Sequence, residues 1–110
     1  MSQNYLAGHK DILDSMLLGI PGVTGGKAFG YPAYRVKGKI FAFVGGSGVI
    51  IKLPEAQVRQ LVAQGPPMHP AEVADGVVWR EWVSIQREES AAYEQDMPLF
   101  EDALQFVAGL

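Results

Sequence analysis

One stretch constrains the fold more than any other: Phe29 to Leu53, FGYPAYRVKGKIFAFVGGSGVIIKL. Three apolar runs, rich in β-branched and aromatic residues, are separated there by Lys37-Gly38 and by Gly45-Gly46-Ser47-Gly48. Such runs suit the pleated, half-buried surface of a sheet, and glycines at the breaks supply the positive φ that tight hairpin turns require. The stretch therefore predicts a three-stranded antiparallel meander. With Lys37-Gly38 as a two-residue turn, Val36 faces Lys39 and Tyr34 faces Phe41. Tyr34, Val36, Phe41 and Phe43 then share one face, and Ala33, Arg35, Ile40, Ala42 and Val44 the other. Both faces are largely apolar, so alternation alone does not select the inner one.

Helical periodicity flanks this stretch. Leu6, Leu13, Met16, Leu17 and Ile20 predict a helix from about Gln3 to Leu18, capped by Ser2 or Asn4 and closed by Gly19 and Pro21-Gly22. His9 and Lys10 fall on or near its solvent side. Gly22 to Lys27 reads as a flexible turn. Pro54 opens a second helix, because its missing donor would be unpaired at the first helical position anyway. Val58, Leu61 and Val62 form its buried stripe, and Gly65 and Pro66-Pro67 end it. Met68 to Asp75 is a proline-broken connector with a short edge strand near Met68.

Val77 to Ile85, VVWREWVSI, predicts a strand. Trp79 and Trp82 stand an odd number of residues apart, so a regular strand points them to opposite faces, one into the core and the other exposed beside Arg80. From about Glu88 to Ala108 the chain is helical, with Tyr93, Leu99, Phe100, Ala103, Leu104 and Val107 as its apolar set. Pro98 lacks a donor, so a kink or fresh start is expected near Asp96. Glu88, Glu89, Glu94, Asp96, Glu101 and Asp102 read as a solvated face.

At 110 residues the chain has room for one domain, spanning 1–110. A chain of this size buries roughly two-thirds of the surface its unfolded form exposes, enough for one core without disulfide or metal staples. Cysteine is absent, which removes disulfides, thiol catalysis and zinc–thiolate sites together. The opening residues lack the basic start and apolar run of a signal peptide, and no apolar run approaches the ~18 residues of a membrane span. The expectation is a cytoplasmic protein that neither enters a membrane nor carries a cofactor.

The net charge of −3 conceals a division. Ser15 to Pro54 contains no acid, and Lys27, Arg35, Lys37, Lys39 and Lys52 give it +5. Glu55 to Leu110 carries −7. A basic block beside an acidic one suits a nucleic-acid face, or an internal or dimer complement. Chemical motifs fail on inspection. Gly22-Val-Thr-Gly-Gly-Lys27 is too short for a phosphate loop and is followed by alanine where magnesium binding needs Ser or Thr. Gly46-Ser47-Gly48 continues to Ile51 where a dinucleotide fingerprint needs glycine, and Gly45 to Val49 lacks the last glycine of a nucleophile elbow. His69 and Glu72 are too few to hold a metal.

Several segments taken together resemble the MmcQ/YjbR-like family and the related N-terminal domain of TfoX/Sxy proteins. They are LLGIPGVTGGKAFGYPAYRVKGKIFAFVGG, IIKLPEAQVRQLVAQG, WREWVSI and PLFEDALQFVAGL. The most specific are Phe29-Gly30, Gly38-Lys39-Ile40-Phe41-Ala42, Lys52-Leu53-Pro54 and Glu81-Trp82-Val83. The resemblance implies an α+β fold of two layers, α-β3-α-β2-α, with an antiparallel sheet covered by helices on one face, as in secretion chaperones. It also implies weak DNA binding, the role commonly given to the family, through a basic β-hairpin.

Two functions follow as expectations. In the first, Lys27, Arg35, Lys37, Lys39 and Lys52 contact phosphates and Tyr34 or Tyr31 stacks on a base. In the alternative, the exposed sheet face with Trp79, Arg80 and Trp82 docks a protein partner or a second copy of the chain. Catalysis is not expected, since the two histidines are isolated and no acid–base motif converges.

Overall fold

The computed structural model describes residues 5–46, 48–74 and 76–110. The elements run α1 (Ala7–Leu17), β1 (Val23–Ala28), β2 (Tyr31–Val36), β3 (Lys39–Gly45), β4 (Gly48–Lys52), α2 (Glu55–Ala63), β5 (Met68–Ala74) and β6 (Val77–Ile85). A 3-10 helix, Ser90–Asp96, then leads into α3 (Met97–Ala108). The strands form a single antiparallel sheet in the order β1-β2-β3-β4-β6-β5. The expected α+β class holds, with one strand more than anticipated. Val23–Ala28, read as a turn, is the edge strand β1, paired to β2 from Val23↔Val36 to Ala28↔Tyr31. Glycine-rich and mostly exposed, it has no apolar alternation of its own and is held by β2's hydrogen bonds.

The helix starts and stops follow local chemistry. Pro54 precedes α2, and α3 begins where Pro98 forces a fresh start, its first turn unharmed by the missing donor. Of the glycines that close α1, Gly22 is the left-handed one (φ 88°). The Ser2 and Asn4 caps and the turn residue Ser47 lie outside the described residues.

One face of the sheet is covered. Leu13 and Leu17 of α1, Tyr93 and Phe100, Ala103 and Val107 of α3 pack on Tyr34, Phe41, Val44, Val49, Ile51, Val83 and Ile85 in one core, which Val58 of α2 extends. The buried hydroxyls and carboxylates on this face are paired. The Tyr34 hydroxyl donates to Asp14 at 2.6 Å, and Asp14 also receives Lys10 at 2.6 Å. The Tyr93 hydroxyl donates to the Ile85 carbonyl at 2.8 Å and accepts from the Arg87 amide at 3.1 Å. Arg87 grips Asp96 with two guanidinium hydrogen bonds, 2.7 and 2.8 Å.

Two expectations are corrected here. His9 does not face solvent but is 1% exposed, its Nδ1 2.7 Å from Ser90 Oγ and its ring edge-on to Tyr93. Asp96 is not part of a solvated face but is 4% exposed under Arg87. Helical spacing alone does not reveal either burial, because both depend on the 3-10 helix folding back on α1.

Candidate functional site

The other face of the sheet carries an aromatic cluster, and two register shifts create it. Between β2 and β3 the pairing runs Arg35↔Ile40 and then Tyr34↔Ala42, so Phe41 is an extra residue. Tyr34 therefore does not face Phe41, and Phe43 leaves the Tyr34 face to pair beside Ala33. Between β5 and β6, Pro70↔Val83 is followed by Ala71↔Trp79, and Arg80 to Trp82 bulge out. β4 stays paired to β6 as far as Lys52↔Trp82, and the Leu53 amide donates to the Glu81 carbonyl at 2.9 Å before the chain turns at Pro54 into α2, so the extra residues are absorbed on the β5 side. The bulge overturns the alternation expected for the two tryptophans. Trp79 and Trp82 lie on the same side with ring centroids 5.8 Å apart.

Phe43 is the floor of the cluster, 3% exposed. Phe29 (5.7 Å), Tyr31 (5.9 Å) and Trp82 (5.5 Å) surround it, and Phe29 also meets Trp79 at 5.6 Å. Tyr31 lies over Gly45, where an added Cβ would approach its ring to 3.1 Å, so a side chain there would crowd the ring. Tyr31 stacks on Phe43 and the other contacts are tilted or edge-on, geometries worth about 0.5–1.5 kcal/mol each beyond their burial. A concavity of about 610 Å³ opens between Phe29, Tyr31, Phe43 and Trp79, with Glu72, Ser84 and Gln86 among its polar lining. Trp79 also borders a second hollow of about 520 Å³, toward Glu81, and a third of about 620 Å³, toward Val62 of α2.

Phe29 is the anomaly in this cluster. It occupies the β1–β2 turn with φ 56°, followed by Gly30 at 80°, the positions where Asn-Gly is the preferred pair. A bulky side chain at positive φ is strained by roughly 1–3 kcal/mol. Its ring is also 62% exposed. Neither local preference nor burial accounts for a phenylalanine there.

The expected nucleic-acid residues do not converge. Tyr34 is 1% exposed with its hydroxyl engaged by Asp14, so it is closed to base stacking. Burial, then the Asp14 hydrogen bond and charge, push its pKa far upward. Lys37 Nζ donates to the Ala108 carbonyl at 3.3 Å and Lys39 Nζ to the Leu110 main-chain oxygen at 2.6 Å, both at the negative C-terminal end of α3. Arg35 reaches the Lys27 carbonyl at 3.1 Å. Lys27 pairs opposite Pro32 and Lys37 follows Val36, so they stand at opposite ends of β2, roughly 15 Å apart along the strand. Lys52 lies over the Trp82 ring at 5.7 Å, and Arg80 is exposed at the rim beside both tryptophans.

Among the described residues, His9, Lys10, Asp14, Tyr34, Arg87 and Tyr93 have shifted pKa values, all on the covered side. Burial lowers the His9 value, which the Arg87 carbonyl only partly offsets. Burial would raise Asp14, but hydrogen bonds from Lys10 and Tyr34 outweigh it and hold the carboxyl below its usual range. Among the described residues no group of three or more potential ligands comes together for a metal, and no helix is long and apolar enough to cross a membrane.

The model of the YjbR family matches residues 18–103, most of the chain. The chain belongs to the YjbR family. The match begins at the end of α1 and takes in the whole sheet, so both register shifts and all five clustered aromatics lie inside it. No curated protein and no solved structure matches significantly.

Sequence reasoning anticipated a role for Trp79, Arg80 and Trp82 but missed Phe29 and Phe43 as their neighbours. The available signal was Phe29-Gly30 itself, a glycine-bearing turn with an aromatic residue where a small polar one is preferred.

Proposed function

We propose that this YjbR domain is a non-enzymatic binding module whose working surface is the uncovered, aromatic face of the sheet, and that its occupant is a protein partner. The carrying observation is Phe29, held at positive φ with its ring 62% exposed over Trp79 and Phe43. Positive φ alone does not distinguish it, since Lys37 in the β2–β3 turn has φ 51°; a large exposed ring at such a position, set over a hollow, does. Exposed aromatics in a hollow fit the anchors that dominate protein interfaces. The pKa-shifted residues support a module rather than a catalyst: they serve pairs that join helices to the sheet, away from the concavity.

The charge setting favours protein over nucleic acid. Glu55, Glu72 and Glu81 border the hollows around Trp79, balanced by Arg59, Arg80 and the Lys52 that lies over Trp82. A phosphate backbone would meet no excess of cations there.

The test compares three immobilised proteins, the wild type, Phe29→Asn and Lys37→Glu/Lys39→Glu, in capture from a cell lysate followed by rebinding of the purified candidate. A protein retained by wild type and by the lysine variant, and lost from Phe29→Asn, supports the open face. Duplex DNA bound with a steep salt dependence and released by the lysine variant overturns the reading in favour of the basic hairpin. A wild-type dimer that Phe29→Asn dissolves in sedimentation makes a second copy the occupant.

A further inference from the structure

The chemistry of the concavity narrows what a partner must present. Its walls include the rings of Phe29, Tyr31, Phe43 and Trp79, whose π faces carry partial negative charge. Its one charged lining residue is Glu72, and no lysine or arginine is among the described residues that line it. Rings and a carboxylate around a hollow repel an anion and attract a cation, more strongly as water is displaced. The cluster already binds one cation of its own: Lys52 sits over Trp82, and neither residue lines the concavity. At the Trp79 end the same surface is open.

The shape argues for a side chain on an extended segment rather than a compact molecule. Trp79 borders all three hollows, whose linings reach from Gly45 and Gly46 past the tryptophans to Val62 on α2. A free organic ion would fill one of them. A chain carrying a basic residue can extend across all three.

Resting on the open-face reading, we infer that the concavity receives an arginine or lysine side chain from an extended segment of the partner. The cation lies against the Trp79 and Phe29 rings with Glu72 as its counter-ion, and the flanking residues continue along the hollows toward α2.

Both tryptophans of the chain are in this cluster, so intrinsic fluorescence of the whole protein reports on the site. It is titrated with short degenerate peptide pools that fix the central residue as Arg, Lys, citrulline or Glu. The Arg and Lys pools are expected to shift the emission at about tenfold lower concentration than the citrulline and Glu pools, the factor that a desolvated cation–π contact supplies. Glu72→Gln should remove most of that preference; an Arg-over-citrulline preference that survives it overturns Glu72 as the counter-ion. Phe29→Asn should weaken every pool, in a turn where asparagine itself is favoured and folding is retained.

A flat response across the four pools that still depends on Phe29 overturns the cation while leaving the open-face reading intact. No response to any pool, with Phe29→Asn indistinguishable from wild type, overturns both. Arginine amide saturating the signal as tightly as the Arg pool overturns the partner segment in favour of a free organic cation.

Discussion

The two faces of the sheet are built from the same strands yet obey different rules. On the covered face each hydroxyl and carboxylate that α1, the 3-10 helix and α3 bury finds a partner: Tyr34 with Asp14, Tyr93 with Ile85, Arg87 with Asp96. On the open face five aromatic rings are gathered, one of them on a turn residue at positive φ, and among the described residues no helix closes over them. One face is arranged for the stability of the chain alone. The other carries features that stability does not require, and that contrast is the reason for placing function there.

The contrast breaks or sharpens under substitution, beginning where the effect should be largest. Phe100 is fully buried between α3 and the sheet, and Phe100→Ala should destabilise the protein by about 3–5 kcal/mol through lost burial and a cavity. Denaturant unfolding measures it; a loss comparable to that of Phe29→Asn would erase the distinction between the faces. Arg87→Ala leaves the Asp96 carboxylate nearly buried without its cation and should lower stability by about 3 kcal/mol, with Arg87→Ala/Asp96→Asn recovering part of it. A double-mutant cycle showing no coupling would remove the pair from the forces holding the 3-10 helix.

The next effect depends on pH. His9 is buried with Nε2 lacking a hydrogen-bond partner, and burial lowers its pKa below 6.5 in the folded protein. The unfolded chain then binds the proton more readily than the folded one, so stability is full above pH 6.5 and falls as pH drops through the window down to the folded value. Asp14, also lowered, acts in a separate window below its ordinary 3.8. Melting temperature against pH should show the His9 slope in wild type and a flatter line in His9→Gln; equal slopes would assign the acid sensitivity elsewhere.

The smallest effect on stability is the most informative about function. Phe29→Asn relieves strain at positive φ while losing the ring contacts to Phe43 and Trp79, two terms of about 1 kcal/mol with opposite sign. Unfolding free energy should stay within about 1 kcal/mol of wild type while binding falls. A large loss of stability would make Phe29 an ordinary structural residue.

The strands of the Phe29–Leu53 stretch, the Lys37-Gly38 turn with Val36 opposite Lys39, the start of α2 at Pro54 and the new helix at Pro98 were all legible in the residues themselves. Each rests on chemistry confined to a few neighbours: a missing donor, a glycine φ, a short apolar alternation. The family was legible too, because its markers are these same turns and strands.

Other features were not local. The edge strand β1 exists because β2 lies beside it, although its own residues read as a turn. His9 is buried by Ser90 and Tyr93, far along the chain. Phe43 and Trp79 reach the open face through extra residues in β3 and β6, and a single such insertion reverses every side chain beyond it. Where a strand absorbs an extra residue depends on which neighbours it has, as β6 stays paired to β4 and takes up its extra residues beside β5. The sequence by itself determined the pieces and where the chain turns between them. The tertiary structure alone decided which side of each piece faces water, because that choice is made by contacts between segments that the sequence keeps apart.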